Sequence, residues 1–228
     1  MVFVDSNQAS KPLRHSASSP FLTPDSALRR LLVGNGRFSA NQLSRLNQNF
    51  DRLSELAEKQ TPFATILTCS DSRVPPEIIF DQGLGDLFIV RVAGNVVAST
   101  ELGSIEYGLS ILKTPILFVL GHSGCGAVSA ALGNSLPFGH IRTLVEAIQP
   151  AATMSRGQPG DVISNAVRAN ILFQLDQLRQ SNIVARLLDE QRIKLVGGCF
   201  DFITGRVVVE NILTTSYSSI RANYKNTF

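Results

Sequence analysis

The sequence predicts an α/β fold: a single domain with a mainly parallel sheet in strand order 2-1-3-4, an antiparallel edge strand and flanking helices, preceded by an N-terminal helical arm. Three observations carry this. At 228 residues the chain has the length of one large domain and can bury a substantial core without disulfide staples. After Pro62, short apolar runs alternate with helical stretches, the pattern of a parallel α/β sheet. Near the end, Asp201-Phe202-Ile203-Thr204-Gly205 reads as a tight turn that returns the chain into one more strand.

In chain order, residues 1–22 carry Ser, Pro and scattered basic residues with no apolar block long enough for a secretory signal peptide, and are expected to form a disordered tail. From Thr23, a capping residue precedes Leu28, Leu31 and Leu32 on one helical face, and Gly34-Asn35-Gly36 reads as the stop. A second helix is expected from about Asn41 to Glu58. Its Leu43, Leu46, Phe50, Leu53 and Leu56 follow three-and-four spacing, a stripe that packs against the domain or a second subunit. Residues 23–59 therefore make the arm and 60–228 the α/β domain. Within that domain four runs read as strands: Ala64 to Cys69, Leu87 to Val92, Ile116 to Gly121 and Lys194 to Cys199. Helices are expected near Glu101 to Lys113, Gly124 to Gly133, Asp161 to Gln180 and Ile183 to Gln191, and Arg206 to Glu210 supplies the edge strand.

Composition excludes several classes. With 44% hydrophobic and 17% charged residues the chain is neither a coiled coil, a collagen-like repeat nor wholly disordered. A net charge of +3 does not call for nucleic acid or an anionic membrane as partner, and the longest clean apolar run, Ile116 to Leu120, is far too short for a membrane span. Three cysteines cannot all pair, which points to a reducing compartment and thiolate chemistry. The cytoplasm is the expected location, with an organelle or microcompartment as the alternative if the tail directs it there.

The reactive residues fall at strand ends. Cys69 closes the first run, and the third ends in Gly121-His122-Ser123-Gly124-Cys125-Gly126. In a 2-1-3-4 sheet, strands 1 and 3 are neighbours where the winding reverses, and ligands collect in the crevice above that point. Two thiolates and an imidazole suit Zn²⁺, and three protein ligands with a fourth position open form a catalytic arrangement. Cys199, in Gly197-Gly198-Cys199-Phe200, could close the site as a fourth ligand, or it could pack as a small buried hydrophobe, the favoured reading. His15 and His140 have no companion ligands and read as surface residues. Asp71 and Arg73, two residues apart on what reads as an extended segment, would face the same side. A carboxylate pinned by a guanidinium fork beside an open zinc position can accept a hydrogen bond from the attacking water.

Taken with Cys69-Ser-Asp71-Ser-Arg73-Val-Pro-Pro-Glu77, Gly85-Asp-Leu-Phe88-Ile-Val-Arg91-Val-Ala-Gly94-Asn95, Ser104-Ile-Glu-Tyr107 and Gly121-His122-Ser-Gly-Cys125-Gly126, the chain resembles the β-class carbonic anhydrases over roughly residues 25–212. The resemblance implies Cys69, His122 and Cys125 as ligands of one Zn²⁺ per subunit, Asp71 and Arg73 as a catalytic dyad, and a substrate pocket of Gln60, Phe88, Tyr107 and Gly126. It also implies reversible hydration of CO₂ to bicarbonate and a proton, in a homodimer or dimer of dimers with the active site near the subunit interface. One branch of the family carries a second bicarbonate site built from Trp, Arg and Tyr. Here Arg91 stands with Ile66 and Phe200 at the other two positions, so the chain looks more like the plant-type branch. Hydrolysis of carbonyl sulfide or carbon disulfide at the same site, and a non-catalytic zinc-stabilised interaction protein, remain open alternatives.

Overall fold

The computed structural model describes residues 22–133 and 138–216. Of the expected tail, residues 1–22, all but Leu22 lie outside the described residues, His15 among them. Five strands form one sheet: β1 (Ala64–Thr68), β2 (Leu87–Arg91), β3 (Ile116–His122), β4 (Lys194–Phe200) and β5 (Val207–Leu213), in the order β2-β1-β3-β4-β5. The first four are parallel and β5 is antiparallel to β4, as the sequence predicts. Eight α-helices accompany the sheet among the described residues: α1 (Pro24–Ser39), α2 (Phe50–Glu55), α3 (Pro76–Ile79), α4 (Ser99–Ser110), α5 (Gly126–Leu132), α6 (Ile141–Met154), α7 (Val162–Arg179) and α8 (Asn182–Asp189).

The runs are continuously apolar because both faces of the sheet are covered. Along β1 and β3, successive side chains enter opposite cores. Leu67, Leu117 and Val119 join Leu195 under α4 to α8. Ile66, Phe118 and Leu120 join Val196 and Phe200 on the other face, where α1 contributes Ala27, Leu28 and Leu31 and α3 contributes Ile79. The layer on that face thus begins in the stretch that the sequence marks as an arm.

Local expectations fail where tertiary contacts outweigh them. α1 does not stop at Gly34-Asn35-Gly36 but continues to Ser39. Gly34 lets the helix run against the chain leaving α3, since a Cβ there would lie 1.8 Å from the Phe80 carbonyl oxygen. Asn35 is buried and spans to the β5 turn: its amide donates to the carbonyls of Ile79 and Gly205, and its oxygen accepts from Val207 N–H.

The expected helix from Asn41 to Glu58 is instead a loop followed by the six-residue α2. The buried Asp81 carboxylate accepts bonds from the Ser44 hydroxyl, Ser44 N–H and Arg45 N–H, and pairs with Arg37. Those main-chain donors are withdrawn from any helix, and Arg45 and Asn47 take left-handed conformations with φ of 51° and 58°. Of the apolar stripe, Leu43 and Leu56 are half-buried, Leu56 against Gly85, and the rest is uncovered. Leu46, Phe50 and Leu53 are 53%, 78% and 51% exposed. α6, in a stretch for which the sequence suggested no helix, covers α5 and α7 with Val145, Ile148, Ala151 and Ala152 and accommodates Pro150 within it.

Candidate metal centre

The site is built by the pairing of β1 with β3. Their register ends at Thr68 opposite Leu120, so the chain leaving β1 and the last residue of β3 emerge side by side at the carboxyl edge of the sheet. The Thr68 hydroxyl donates to the Leu120 carbonyl at 2.9 Å and ties the two ends together. Cys69 is the first residue beyond β1, His122 is the last of β3, and Cys125 follows a turn and takes the N-cap position of α5.

Among the described residues these three are the one group of His, Cys, Asp or Glu able to hold an ion, with candidate ligand atoms within 4.8 Å of one another. They are 5%, 0% and 1% exposed. The Cys69 and Cys125 sulfurs lie 4.0 Å apart, as free thiols. Two sulfurs sharing a tetrahedral zinc at about 2.3 Å stand roughly 3.8 Å apart, so the spacing suits the ion. The imidazole is also poised for it. His122 Nδ1 lies 3.0 Å from the Ser123 carbonyl, which selects the tautomer that donates there, and Nε2 is a buried nitrogen without a hydrogen-bond partner. An unpartnered buried nitrogen beside two close sulfurs is what a bound metal would satisfy.

The Cys69 thiol is held well below its ordinary range, first by the Cys125 thiol, then by His122 and by the N–H groups of Gly94 and Asp71, which donate to its sulfur at 3.3 and 3.4 Å. The Cys125 thiol is pushed up, first by Cys69 and then by burial.

Asp71 and Arg73 meet as the sequence predicts, but through a turn rather than an extended segment. Arg73 N–H donates to Asp71 Oδ1 at 3.0 Å, and the guanidinium closes a fork, Nε to Oδ1 at 3.0 Å and Nη2 to Oδ2 at 2.8 Å. This fork holds the Asp71 carboxyl well below the usual carboxylate range. Asp71 Oδ2 stands 4.0 Å from His122 Nε2.

Two supporting residues escaped the sequence reading of this site. Arg91, noted there only for a regulatory site, donates to the carbonyls of Cys69 at 3.2 Å and Asp71 at 2.7 Å and so clamps the loop that carries both. Phe202, in the turn before β5, lies under the Arg73 guanidinium at 4.1 Å and beside the His122 ring at 5.2 Å. Its N–H donates to the Ser123 hydroxyl, which ties that turn to the His-Ser-Gly-Cys segment. The sequence signal for Phe202 was the turn itself, read only as a connection.

Cys199 does not join the group, and it is half-buried rather than fully buried. It sits near the end of β4 opposite Gly121 and Val208, where burial first, and Glu210 next, push its thiol up to about 11. His140 is an exposed residue just before α6.

Of the expected pocket residues, Gly126 adjoins Cys125 at the start of α5. Phe88 and Tyr107 meet each other, ring centroids 6.0 Å apart, but on the other side of the sheet's length. Phe88 pairs with Thr65, four residues before Cys69, about 13 Å along the strand. Gln60 lines a cavity of about 500 Å³ with Arg30, Arg52, Lys59 and Lys113, at the amino edge of the sheet. Within one chain, then, these three do not surround the thiolates.

A family model described as carbonic anhydrase matches residues 64–207. Carbonic anhydrase 2 of Mycobacterium tuberculosis is 47% identical over 141 residues, covering 60% of this chain and 68% of that protein. The carbonic anhydrase of Mycolicibacterium smegmatis is 37% identical over 199 residues, covering 85% and 97%. Among solved structures, the β-carbonic anhydrase CcaA superposes with a TM-score of 0.65 at 29% identity, over 83% of this chain and all of that one. The Coccomyxa enzyme, solved with acetazolamide, gives 0.67 at 22% identity over 88% and 98%, a likeness of fold. With the family model running from β1 into β5 and a named relative matched along nearly its whole length, this chain belongs to the β-class carbonic anhydrase family.

Proposed function

We propose that this chain catalyses the reversible hydration of CO₂ to bicarbonate and a proton, with Cys69, His122 and Cys125 holding one Zn²⁺ and Asp71 and Arg73 as the catalytic dyad. One observation carries the assignment: a buried, unpartnered His122 Nε2 beside two sulfurs 4.0 Å apart, with an ion-paired carboxylate 4.0 Å away. When bound, Zn²⁺ supplies the Lewis acid that acidifies water for attack on the carbon of CO₂. Asp71 offers the attacking water a carboxylate acceptor. Arg73 keeps that carboxylate ionised and fixes its direction. A purely structural zinc would have no use for this pair.

The proposed substrate pocket combines Gly126 with Gln60, Phe88 and Tyr107. Their separation from the thiolates within one chain supports a second copy as the donor of the three, hence a homodimer or a dimer of dimers; the Sordaria macrospora relatives of this fold are described as tetrameric. The exposed Leu46, Phe50, Leu53 and Ile111 agree with such a contact. The plant-type reading is supported by Ile66 and Phe200, both buried in the apolar core where the regulatory site would need polar groups. Free thiols on all three cysteines support the cytoplasm, and among the described residues no helix is long and apolar enough to cross a membrane. The test is stopped-flow CO₂ hydration on purified, metal-analysed protein. One zinc per chain with rapid hydration is expected; stoichiometric zinc with no hydration, or with carbonyl sulfide as the preferred substrate, would overturn the assignment.

A further inference from the structure

Two buried amides on α7 reach toward the metal centre without touching it. Asn170 and Gln174, one helical turn apart, are 0% and 1% exposed in an otherwise apolar core. Such groups are costly to bury unless every bond is made. Their bonds form a chain with one consistent orientation. Gln174 Oε1 accepts from Val97 N–H at 2.9 Å, so Gln174 Nε2 is left to donate to Asn170 Oδ1 at 3.0 Å, and Asn170 Nδ2 donates to the Gly94 carbonyl at 2.9 Å. The pair therefore grips the segment from Gly94 to Val97 at both ends.

That segment carries a donor to the metal centre. Gly94 N–H donates to Cys69 Sγ at 3.3 Å. The residue adopts φ of 73°, and a Cβ would lie 2.5 Å from Ile148 and 3.1 Å from Ala127, so the backbone is pressed onto α5 and α6 in a conformation suited to glycine. A bond to a ligand sulfur drains charge from it and fixes its direction, which sets how firmly that sulfur binds a metal.

We propose that Asn170 and Gln174 are positioning residues for the metal centre: they hold the Gly94 to Val97 segment so that the Gly94 amide stays aimed at Cys69. The inference rests on Cys69 being a metal ligand, as proposed above. It extends the centre's support to a helix more than 70 residues away in sequence, by separations of 76 and 77 residues.

The test compares three variants of the full chain with the parent. Asn170→Ser removes the donor to Gly94, Gln174→Glu keeps the acceptor for Val97 N–H but loses the donor to Asn170, and Leu178→Ala opens a cavity in the same helix, one turn beyond Gln174, without removing an amide. Zinc affinity is read by competition with a chromophoric chelator, and the thiolate-to-metal charge-transfer band is read after Co²⁺ substitution. Thermal melting of each variant reports the fold. Asn170→Ser and Gln174→Glu are expected to weaken zinc roughly 10-fold and to shift the Co²⁺ band, whereas Leu178→Ala lowers the melting temperature with affinity and band unchanged. Parental affinity and spectrum in both amide variants would overturn the inference, as would an equal affinity loss in Leu178→Ala. Should Asn170→Ser fail to fold, Gln174→Glu decides alone. A parent that binds no zinc through sulfur would overturn the ligand assignment itself, a result distinct from either.

Discussion

The guanidinium carbon of Arg73 lies over the ring of Phe202, 4.1 Å from its centroid, while its N–H edge holds Asp71 in a two-pronged fork. The dyad is thus supported from β5's turn, more than 100 residues downstream. With Arg73 exposed, such a contact is worth about 0.5–1 kcal/mol. Phe202→Ala should therefore lower CO₂ turnover by about 2- to 5-fold with zinc content unchanged, and Phe202→Tyr should restore it. Stopped-flow rates beside metal analysis decide this; a loss of zinc in Phe202→Ala would show that the ring serves His122 instead.

Replacing Asp71 by Asn keeps its size and its acceptor for Arg73 N–H but removes the charge. Turnover is expected to fall by roughly 10²- to 10⁴-fold, the range of a lost proton acceptor, while zinc stays bound. Rates near those of the parent would remove Asp71 from the mechanism.

Asp81 gives a prediction about stability. Burial opposes its ionisation, yet bonds from Ser44, Arg37 and the Arg45 N–H outweigh that and hold its carboxyl well below the usual range. Because the folded value lies below the unfolded one of about 3.9, this contribution is present above about pH 4 and is lost as pH falls below it. Asp81→Asn should cost about 3 kcal/mol at pH 7, with a smaller difference from the parent at pH 3. Urea unfolding at both pH values measures it; an equal cost at the two would assign the loss to packing.

Ligand charge sets an expectation for the pH profile. Two thiolates cancel the formal charge of Zn²⁺, whereas the three-histidine sites whose water titrates near pH 7 leave it intact. CO₂ hydration should therefore still be rising above pH 7. A plateau already reached at pH 6.5 would contradict the proposed ligand set.

The parallel strands and the metal centre were legible because each rests on local signals that the fold preserves: continuous apolar runs buried on both faces, and reactive residues at strand ends that the winding order brings together. In the N-terminal region the start of α1 was legible, since Thr23 caps it and Leu28 and Leu31 are buried, but its end and the stretch after it were not, because their conformation is set from elsewhere. Gly34 and Asn35 read as a helix stop, but their partners are Phe80, Ile79, Gly205 and Val207. The stripe from Leu43 to Leu56 has helical spacing, but Asp81, far along the chain, takes the amides that a helix would need. The sequence suggests no helix around Pro150, a residue that disfavours a helix interior, yet α6 continues through it because its apolar face is packed on α5 and α7. Arg91 and Phe202 were invisible as supports of the dyad because nothing in their own surroundings marks a bond to a loop carried by another strand.

Asp71 has all of its polar groups engaged at once: the carboxylate with Arg73, the amide with the Cys69 sulfur and the carbonyl with Arg91. The bond from Arg73 N–H back to Oδ1 also needs a side chain of this length, since it closes a turn over two residues. Conserving the charge is therefore not enough. A library randomised at position 71 and selected for growth that depends on bicarbonate supply should return aspartate and reject glutamate, making this one of the least exchangeable codons in the gene.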